Sequence, residues 1–266
     1  AYRDHGHMLA CGMDPKAVMA ELTGRATGSS GGKGGSMHMF STEAGFYGGH
    51  GIVGAQVSLG TGLALANRNR GNGAVTFCYF GDGAANQGQV YESFNMAELW
   101  RLPVVYLIEN NQYAMGTSIE RASSETHLYK RGISFQIPGE EVDGMDVQAV
   151  AAAAAKAAEH ARSGKGPYIL ELKTYRYRGH SMSDPAKYRT REEVDEVRKT
   201  RDPIDHLREV LERGKLAGED QLKALDAEVK TIVAEAVEFA RTSPEPDPAA
   251  LYTDVYAVQA AGAPAN

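Results

Sequence analysis

Val75-Thr76-Phe77-Cys78-Tyr79-Phe80-Gly81-Asp82-Gly83, followed downstream by Val104-Val105-Tyr106-Leu107-Ile108-Glu109-Asn110-Asn111, decides the fold of this chain. The β-branched and aromatic run from Val75 to Phe80 predicts a buried strand, and Gly81-Asp82-Gly83 stops it. Gln87 to Trp100 carries Val90, Phe94 and Ala97 at helical spacing. Val104 to Ile108 is a second apolar strand. A strand–helix–strand unit of this length is a right-handed crossover in a parallel sheet, so both strands end at the same sheet edge. Ligands bind at that carboxyl edge in open α/β sheets.

The residues at the two strand ends suit a hydrated divalent cation. Asp82 offers a carboxylate and Asn111 an amide oxygen, hard donors of the kind magnesium or calcium prefers. Gly81 and Gly83 carry no β-carbon to obstruct a diphosphate. The helix that begins near Gln87 directs its positive end to the same place. A metal held between protein oxygens and a diphosphate is the resulting expectation.

Gly-Asp-Gly, then the 26 residues from Ala84 to Glu109, then a double Asn resembles the thiamine diphosphate motif. The fuller text, GDGAANQGQVYESFNMAELW with ENNQYAMGTS, resembles the alpha chains of the dehydrogenase component of pyruvate dehydrogenase complexes. The likeness runs from Tyr2 to about Pro248. It implies a thiamine diphosphate-binding α/β fold: a doubly wound, mostly parallel sheet with helices on both faces and a helical C-terminal appendage. It implies thiamine diphosphate and Mg2+ as cofactors. Asp82, Asn111 and the carbonyl of Tyr113 would hold the metal. Tyr2, Arg3, Gly51, Val53, Asp82, Gly83, Ala84, Asn111 and His180 would contact the cofactor. Arg3 and His180 would meet diphosphate oxygens, His180 with a catalytic role, and the main chain of Gly51 and Val53 would receive the aminopyrimidine. The implied reaction is oxidative decarboxylation of pyruvate and transfer of the acetyl group to a lipoyl group. The implied partners are a beta chain, in a heterotetramer of two alpha and two beta chains, and the lipoyl domain and acyltransferase core of the complex. The alpha chain of a branched-chain 2-oxoacid or acetoin dehydrogenase stays open as an alternative. The family's aminopyrimidine-activating Glu comes from the beta chain, so the alpha chain alone is expected to be inert. The compartment implied is a bacterial cytoplasm or a mitochondrial matrix.

Composition agrees with such a chain. At 266 residues and 28.6 kDa it can bury a sizeable core. A net charge of −6 and pI of about 5.8 favour neither nucleic acid nor an anionic membrane. Cys11 and Cys78 make no disulfide framework, which suits a reducing compartment. No apolar run approaches a membrane span. The chain opens at Ala1 without Met, and relatives of the resembled type carry further helical sequence upstream, so a truncated or processed start is expected.

The remaining text organises around these elements. Asp14-Pro15 caps and opens a helix to about Thr23. Thr27 to Ser36 is glycine-rich but is no phosphate loop: Gly34 follows Lys33, and Thr27 stands where the first glycine belongs. It reads as a flexible loop over the site. His38 reads as structural. Gly54, Ser58, Gly62 and Ala66 make a small-residue stripe that predicts a close helix–helix crossing, between subunits. Arg121 to Ile137 reads as irregular and Glu141 to Gly144 as a turn. Asp146 to Ala161 is a strong helix, Tyr168 to Leu172 a strand, and Thr174 to Arg191 a polar loop beyond it. That loop holds Ser181 and Ser183, at a place where eukaryotic relatives are phosphorylated, and is expected to order on cofactor binding. Two amphipathic helices follow before Ser243 to Pro248 breaks the structure, and Ala257 to Asn266 reads as a loose tail. The predicted partition is 1–190 cofactor domain, 191–248 helical appendage and 249–266 tail.

Overall fold

The computed structural model describes residues 1–255. They fall into two compact units: one of Ala1 with 52–222, the other of 2–51 with the chain from 223 onward.

The second unit opens with α1 (His5–Ala10) and α2 (Pro15–Leu22). Asp14 caps α2 as its position before Pro15 predicts, its carboxylate accepting the Lys16 amide at 2.9 Å. Met8, Met13, Val18 and Met39 form a small core with Ala44 and Phe46. The glycine-rich segment is not a floppy loop. Glu21, on α2, is fully buried and takes four backbone amides from that segment. Ser30 and Gly32 donate to one carboxylate oxygen at 2.8 Å each, and Gly34 and Gly35 to the other at 2.7 and 2.9 Å. A β-carbon on Gly28 would strike Glu21 itself, and one on Gly34 would strike the His38 carbonyl. Close packing, as much as flexibility, accounts for the glycines.

The first unit is built on a parallel sheet. Its elements in chain order are α3 (Ala55–Arg70), β1 (Thr76–Gly81), α4 (Gly88–Leu99) and β2 (Val104–Asn110). A short hairpin of β3 (Tyr113–Ala114) and β4 (Thr117–Ser118) leads into α5 (Ile119–Ala122). Then come β5 (Gly139–Asp143), α6 (Val147–Arg162) and β6 (Tyr168–Lys173), followed by α7 (Arg191–Arg201) and α8 (Pro203–Arg213). The strand order is β1-β2-β6-β5, all parallel. Helices cover both faces, which is the expected doubly wound arrangement. Alternation along β2 explains it. Val104, Tyr106 and Ile108 pack with Val57, Val90, Phe94 and Ala97 of α3 and α4, while Val105 and Leu107 pack with Ala157 and Ala161 of α6. The buried Tyr106 hydroxyl is satisfied by Thr61 Oγ1 at 2.7 Å and the Ser93 carbonyl at 3.3 Å.

Two readings need correction, and the compact units divide the chain differently from the predicted partition. Residues 139–143 form an edge strand, not a turn. Residues 121–137 contain a 3₁₀ stretch, Leu128–Phe135, with Leu128 and Gly132 buried. The predicted partition does not follow the compact units, since 191–222 groups with the sheet and α9 (Glu219–Thr242) continues from 223 into the other unit. The small-residue stripe of α3 is open at Ser58 and Gly62, which are exposed, with Ser58 Oγ 3.4 Å from Ser93 Oγ of α4. Within the unit α3 also comes close to β1 at Gly60, where a β-carbon would lie 2.8 Å from Cys78 Sγ. Within the second unit Thr27 Oγ1 donates to Ser243 Oγ at 2.7 Å, and Lys33 reaches Thr253 and Asp254. The chain beyond residue 248 is therefore tethered as far as Asp254, and the tail reading over 257–266 lies outside the described residues.

Candidate functional site

β1 and β2 run in register, Gly81 beside Glu109, so Asp82 and Asn111 leave the sheet at one edge. Asp82 is 4% exposed. Burial pushes its carboxyl above the usual carboxylate range, with Arg176 and Lys173 pulling the other way. Gly83 turns away from Asp82 into a 3₁₀ turn, Ala84–Asn86, ahead of α4. A β-carbon at Gly83 would lie 2.5 Å from that of Ala114, so the Gly-Asp-Gly turn is packed directly on the β3–β4 hairpin. That contact brings Tyr113 beside the Asp82 turn. Asn111 Oδ1 accepts the Tyr113 amide at 3.2 Å.

Asp82, Asn111 and the Tyr113 carbonyl thus gather at one sheet edge with one carboxylate among them. No cluster of three or more His, Cys, Asp or Glu side chains suited to a metal occurs among the described residues. A set of one carboxylate, one amide and one carbonyl fits a hard cation that draws its remaining oxygens from water and phosphate. It does not fit zinc or another soft metal. A cation there would also compensate the desolvated Asp82 carboxylate.

The other named residues are distributed. His180 is half-buried in the loop after β6, where its amide donates to Asp184 Oδ2 at 2.7 Å. Asp184 also accepts the Ala186 amide at 2.9 Å and the Tyr188 hydroxyl at 2.8 Å, and these donors hold its carboxyl down at about 2. Ala84 is buried in the 3₁₀ turn, and Val53 is exposed just ahead of α3. Tyr2, Arg3 and Gly51 belong to the other unit. There the Arg3 guanidinium lies 5.2 Å from the Tyr2 ring centroid, and the His38 imidazole is packed beside Gly51.

Two arginines escaped the sequence reading. Arg176 donates to the Tyr113 carbonyl at 3.3 Å, the Met115 carbonyl at 2.6 Å and the Tyr188 hydroxyl at 2.7 Å. It ties the loop after β6 to the β3–β4 hairpin. Arg131, from the 3₁₀ stretch, donates to the Ala85 carbonyl at 2.6 Å, Tyr91 at 3.0 Å and Ser123 at 3.0 Å, fastening the turn after Asp82. Three of their six acceptors are main-chain carbonyls from distant segments and three are hydroxyls, which leave no spacing pattern in the text. The position of Arg176 beyond a predicted strand end was the one available signal.

The chain is similar to known proteins over nearly its whole length. The family described as "Dehydrogenase E1 component" matches residues 1–249. The pyruvate dehydrogenase E1 component subunit alpha of Rhizobium meliloti is 67% identical over 96% of this chain and 73% of its own length. The protein of the same name from Zymomonas mobilis is 59% identical over 96% of this chain and 72% of its own. The testis-specific mitochondrial form from Rattus norvegicus is 54% identical over 92% of this chain and 62% of its own. With a family match over nearly the whole chain and the motif residues at one sheet edge, the chain belongs to the dehydrogenase E1 component family.

Proposed function

We propose that this chain is the alpha subunit of a pyruvate dehydrogenase E1 component. With a beta chain it performs the thiamine diphosphate-dependent oxidative decarboxylation of pyruvate and passes the acetyl group to a lipoyl group of the acyltransferase component. The observation that carries this is a chain 67% identical to a protein of that name, in which the buried Asp82 and Asn111 follow the ends of two adjacent parallel strands. The relatives named above all carry the pyruvate name, which favours pyruvate over the branched-chain and acetoin alternatives.

Thiamine diphosphate, when bound, supplies carbanion stabilisation, and the protein supplies binding, orientation and electrostatics. Asp82, Asn111 and the Tyr113 carbonyl would hold Mg2+, with Asp82 contributing the full charge. The backbone at Gly83 and Ala84 would contact the diphosphate. Arg3, through a guanidinium suited to paired phosphate oxygens, would neutralise diphosphate charge, and Tyr2 would line its approach. His180 would donate to a diphosphate oxygen and hold a proton near it. The main chain at Gly51 and Val53 would receive the aminopyrimidine ring. The acid that hydrogen-bonds that ring, and the apolar cover over it, would come from the beta chain.

The test is turnover of a panel of 2-oxoacids by this chain co-expressed with the adjacent beta gene, and by this chain alone. Pyruvate should be the best substrate of the pair, and the lone chain should be inert. Preference for a branched-chain acid would overturn the substrate assignment, and comparable decarboxylation by the lone chain would overturn the shared site.

A further inference from the structure

Glu171 is the one fully buried acid of the sheet, and it sits on β6 beside Ile108 of β2. Its strand neighbours Leu170 and Leu172 face α6, while Ile169 packs into the α3–α4 core. Alternation puts Glu171 on the same side as Ile169, where an apolar side chain is the ordinary occupant. A carboxylate there costs desolvation unless every oxygen is met. Its oxygens are met. Oε1 accepts Asn110 Nδ2 at 2.6 Å and Lys173 Nζ at 3.3 Å, and Oε2 accepts the Tyr129 amide at 3.0 Å.

Asn110 relays this contact. Held through its Nδ2, it turns its Oδ1 to accept the Gln112 amide at 3.0 Å, and its main-chain carbonyl accepts the Thr174 amide at 3.0 Å. Gln112 has φ +69° and Met115 φ +54°, so the chain from 110 to 115 runs through two left-handed residues that local preference does not supply. The Gln112 carbonyl is fixed in turn by the Ile119 amide at 2.9 Å. This turn carries Asn111 and the Tyr113 carbonyl.

We propose that Glu171 is a positioning residue. Through the fully buried Asn110 amide it fixes the orientation of the Asn110–Tyr113 turn, and so sets Asn111 Oδ1 and the Tyr113 carbonyl for the cation. The inference rests on the metal-site reading above for its consequence, but not for the turn itself. The donor arithmetic makes a sharp test. In Glu171→Gln the side chain has one oxygen and one NH2 for three donors. Whichever way it is flipped, an N–H faces either Asn110 Nδ2 or the Tyr129 amide. Flipping Asn110 to compensate turns its NH2 onto the Gln112 amide. In Asn110→Asp two buried carboxylates meet. The exchanged pair, Asn110→Asp with Glu171→Gln, restores the pattern. The new amide group donates to the new carboxylate, and its oxygen accepts the Tyr129 amide. The new carboxylate also accepts the Gln112 amide, and Lys173 keeps Glu141 at 3.7 Å.

The experiment compares wild type, both single variants and the exchanged pair, each assembled with the beta chain. Hydrogen exchange over residues 111–118 is measured without cofactor, and the apparent KM for Mg2+ is measured at saturating thiamine diphosphate. Each single variant should exchange at least tenfold faster in that segment. Each should raise the apparent KM for Mg2+ at least tenfold, with kcat at saturating Mg2+ within threefold of wild type. The exchanged pair should restore both to within threefold. Unchanged exchange in Glu171→Gln, or a double variant as impaired as the worse single one, overturns the proposal. If the single variants are insoluble, the exchanged pair must be soluble with near-native protection, and its failure to be so overturns the proposal equally. A wild-type assembly that shows no Mg2+ dependence refutes the metal-site reading, while the exchange data still decide whether Glu171 holds the turn.

Discussion

Replacing Glu21 by Gln changes one oxygen for an NH2 and leaves the shape almost intact. The wild-type carboxylate accepts four amides, two on each oxygen, from Ser30, Gly32, Gly34 and Gly35. In Glu21→Gln the oxygen keeps one pair and the new NH2 faces the other pair, donor against donor. Two hydrogen bonds are lost and two amides are stranded beside a side chain with no exposure of its own. A stranded buried donor costs about 1–3 kcal/mol, so the sum is about 2–6 kcal/mol. The segment can relax toward water, because Ser30, Gly32, Gly34 and Gly35 are themselves only half-buried, and that favours the lower end, about 2–3 kcal/mol. At about 1.4 kcal/mol per factor of ten, local opening should become about 30- to 140-fold more frequent. Hydrogen exchange resolved to the amides of 28–36 reads this directly, with exposed Glu43→Gln as a control that should change nothing. If the four amides of Glu21→Gln exchange at the wild-type rate, the carboxylate is not what orders this segment and the reasoning fails.

Other predictions follow from the same geometry. Asp184→Asn should raise proteolytic cleavage within residues 178–189, since it weakens the acceptor of His180, Ala186 and Tyr188. Because the folded Asp184 carboxyl lies below its ordinary value, at about 2, its support for the loop is complete above the usual carboxylate range and is lost only as pH falls toward 2, so loop protection should be flat between pH 7 and 5. A thiol reagent at pH 8 should modify one cysteine per native chain, exposed Cys11, because burial pushes the Cys78 thiol up to about 12; two modifications without unfolding would contradict the packing of Gly60 on Cys78. Asp82→Ala should abolish Mg2+-dependent thiamine diphosphate binding in calorimetry and Asn111→Ala should weaken it less, and unchanged affinity in Asp82→Ala would remove that residue from the site.

The sheet was legible where apolar periodicity is strong and caps are local. The Thr76–Gly81 and Val104–Asn110 strands, the helix between them and the helix that starts near Asp146 all follow from near-neighbour residues. β5 was missed because an edge strand needs little apolar surface. Among Gly139-Glu140-Glu141-Val142-Asp143 only Val142 is buried, and backbone pairing to β6 carries the rest. At the site, the placement of Asp82 and Asn111 at one sheet edge was legible because they follow predicted strand ends, whereas Tyr113 entered only through the family resemblance. Arg131 and Arg176 were not, because an arginine serving main-chain carbonyls 40 or more residues away has no local signature. The glycine segment was misread for a related reason. Glycine count reports what the backbone can do, whereas its partner, Glu21, sits in a neighbouring helix as one more charged residue.

These misreadings share a physical cause. These segments are irregular, so their amides have no ladder or helix to donate to, yet backbone N–H groups near a core must be satisfied. Three acids serve as collection points. Glu21 takes four amides, Asp184 two amides and a phenol, and Glu171 one amide, one side-chain amide and one ammonium. A carboxylate suits this role because it offers about four acceptor directions and no donor. It orders a loop without regular secondary structure and without apolar bulk that would crowd a ligand. It also makes each loop depend on a single side chain. Loss of a core residue such as Phe94, about 3–5 kcal/mol for truncation to Ala, weakens the whole sheet unit. Loss of one of these acceptors instead frees a short segment while the sheet persists. Glutamine and asparagine, the same in shape but with one donor where an acceptor was, are therefore the substitutions that separate the two kinds of stability. They should reduce local protection far more than they lower the melting temperature.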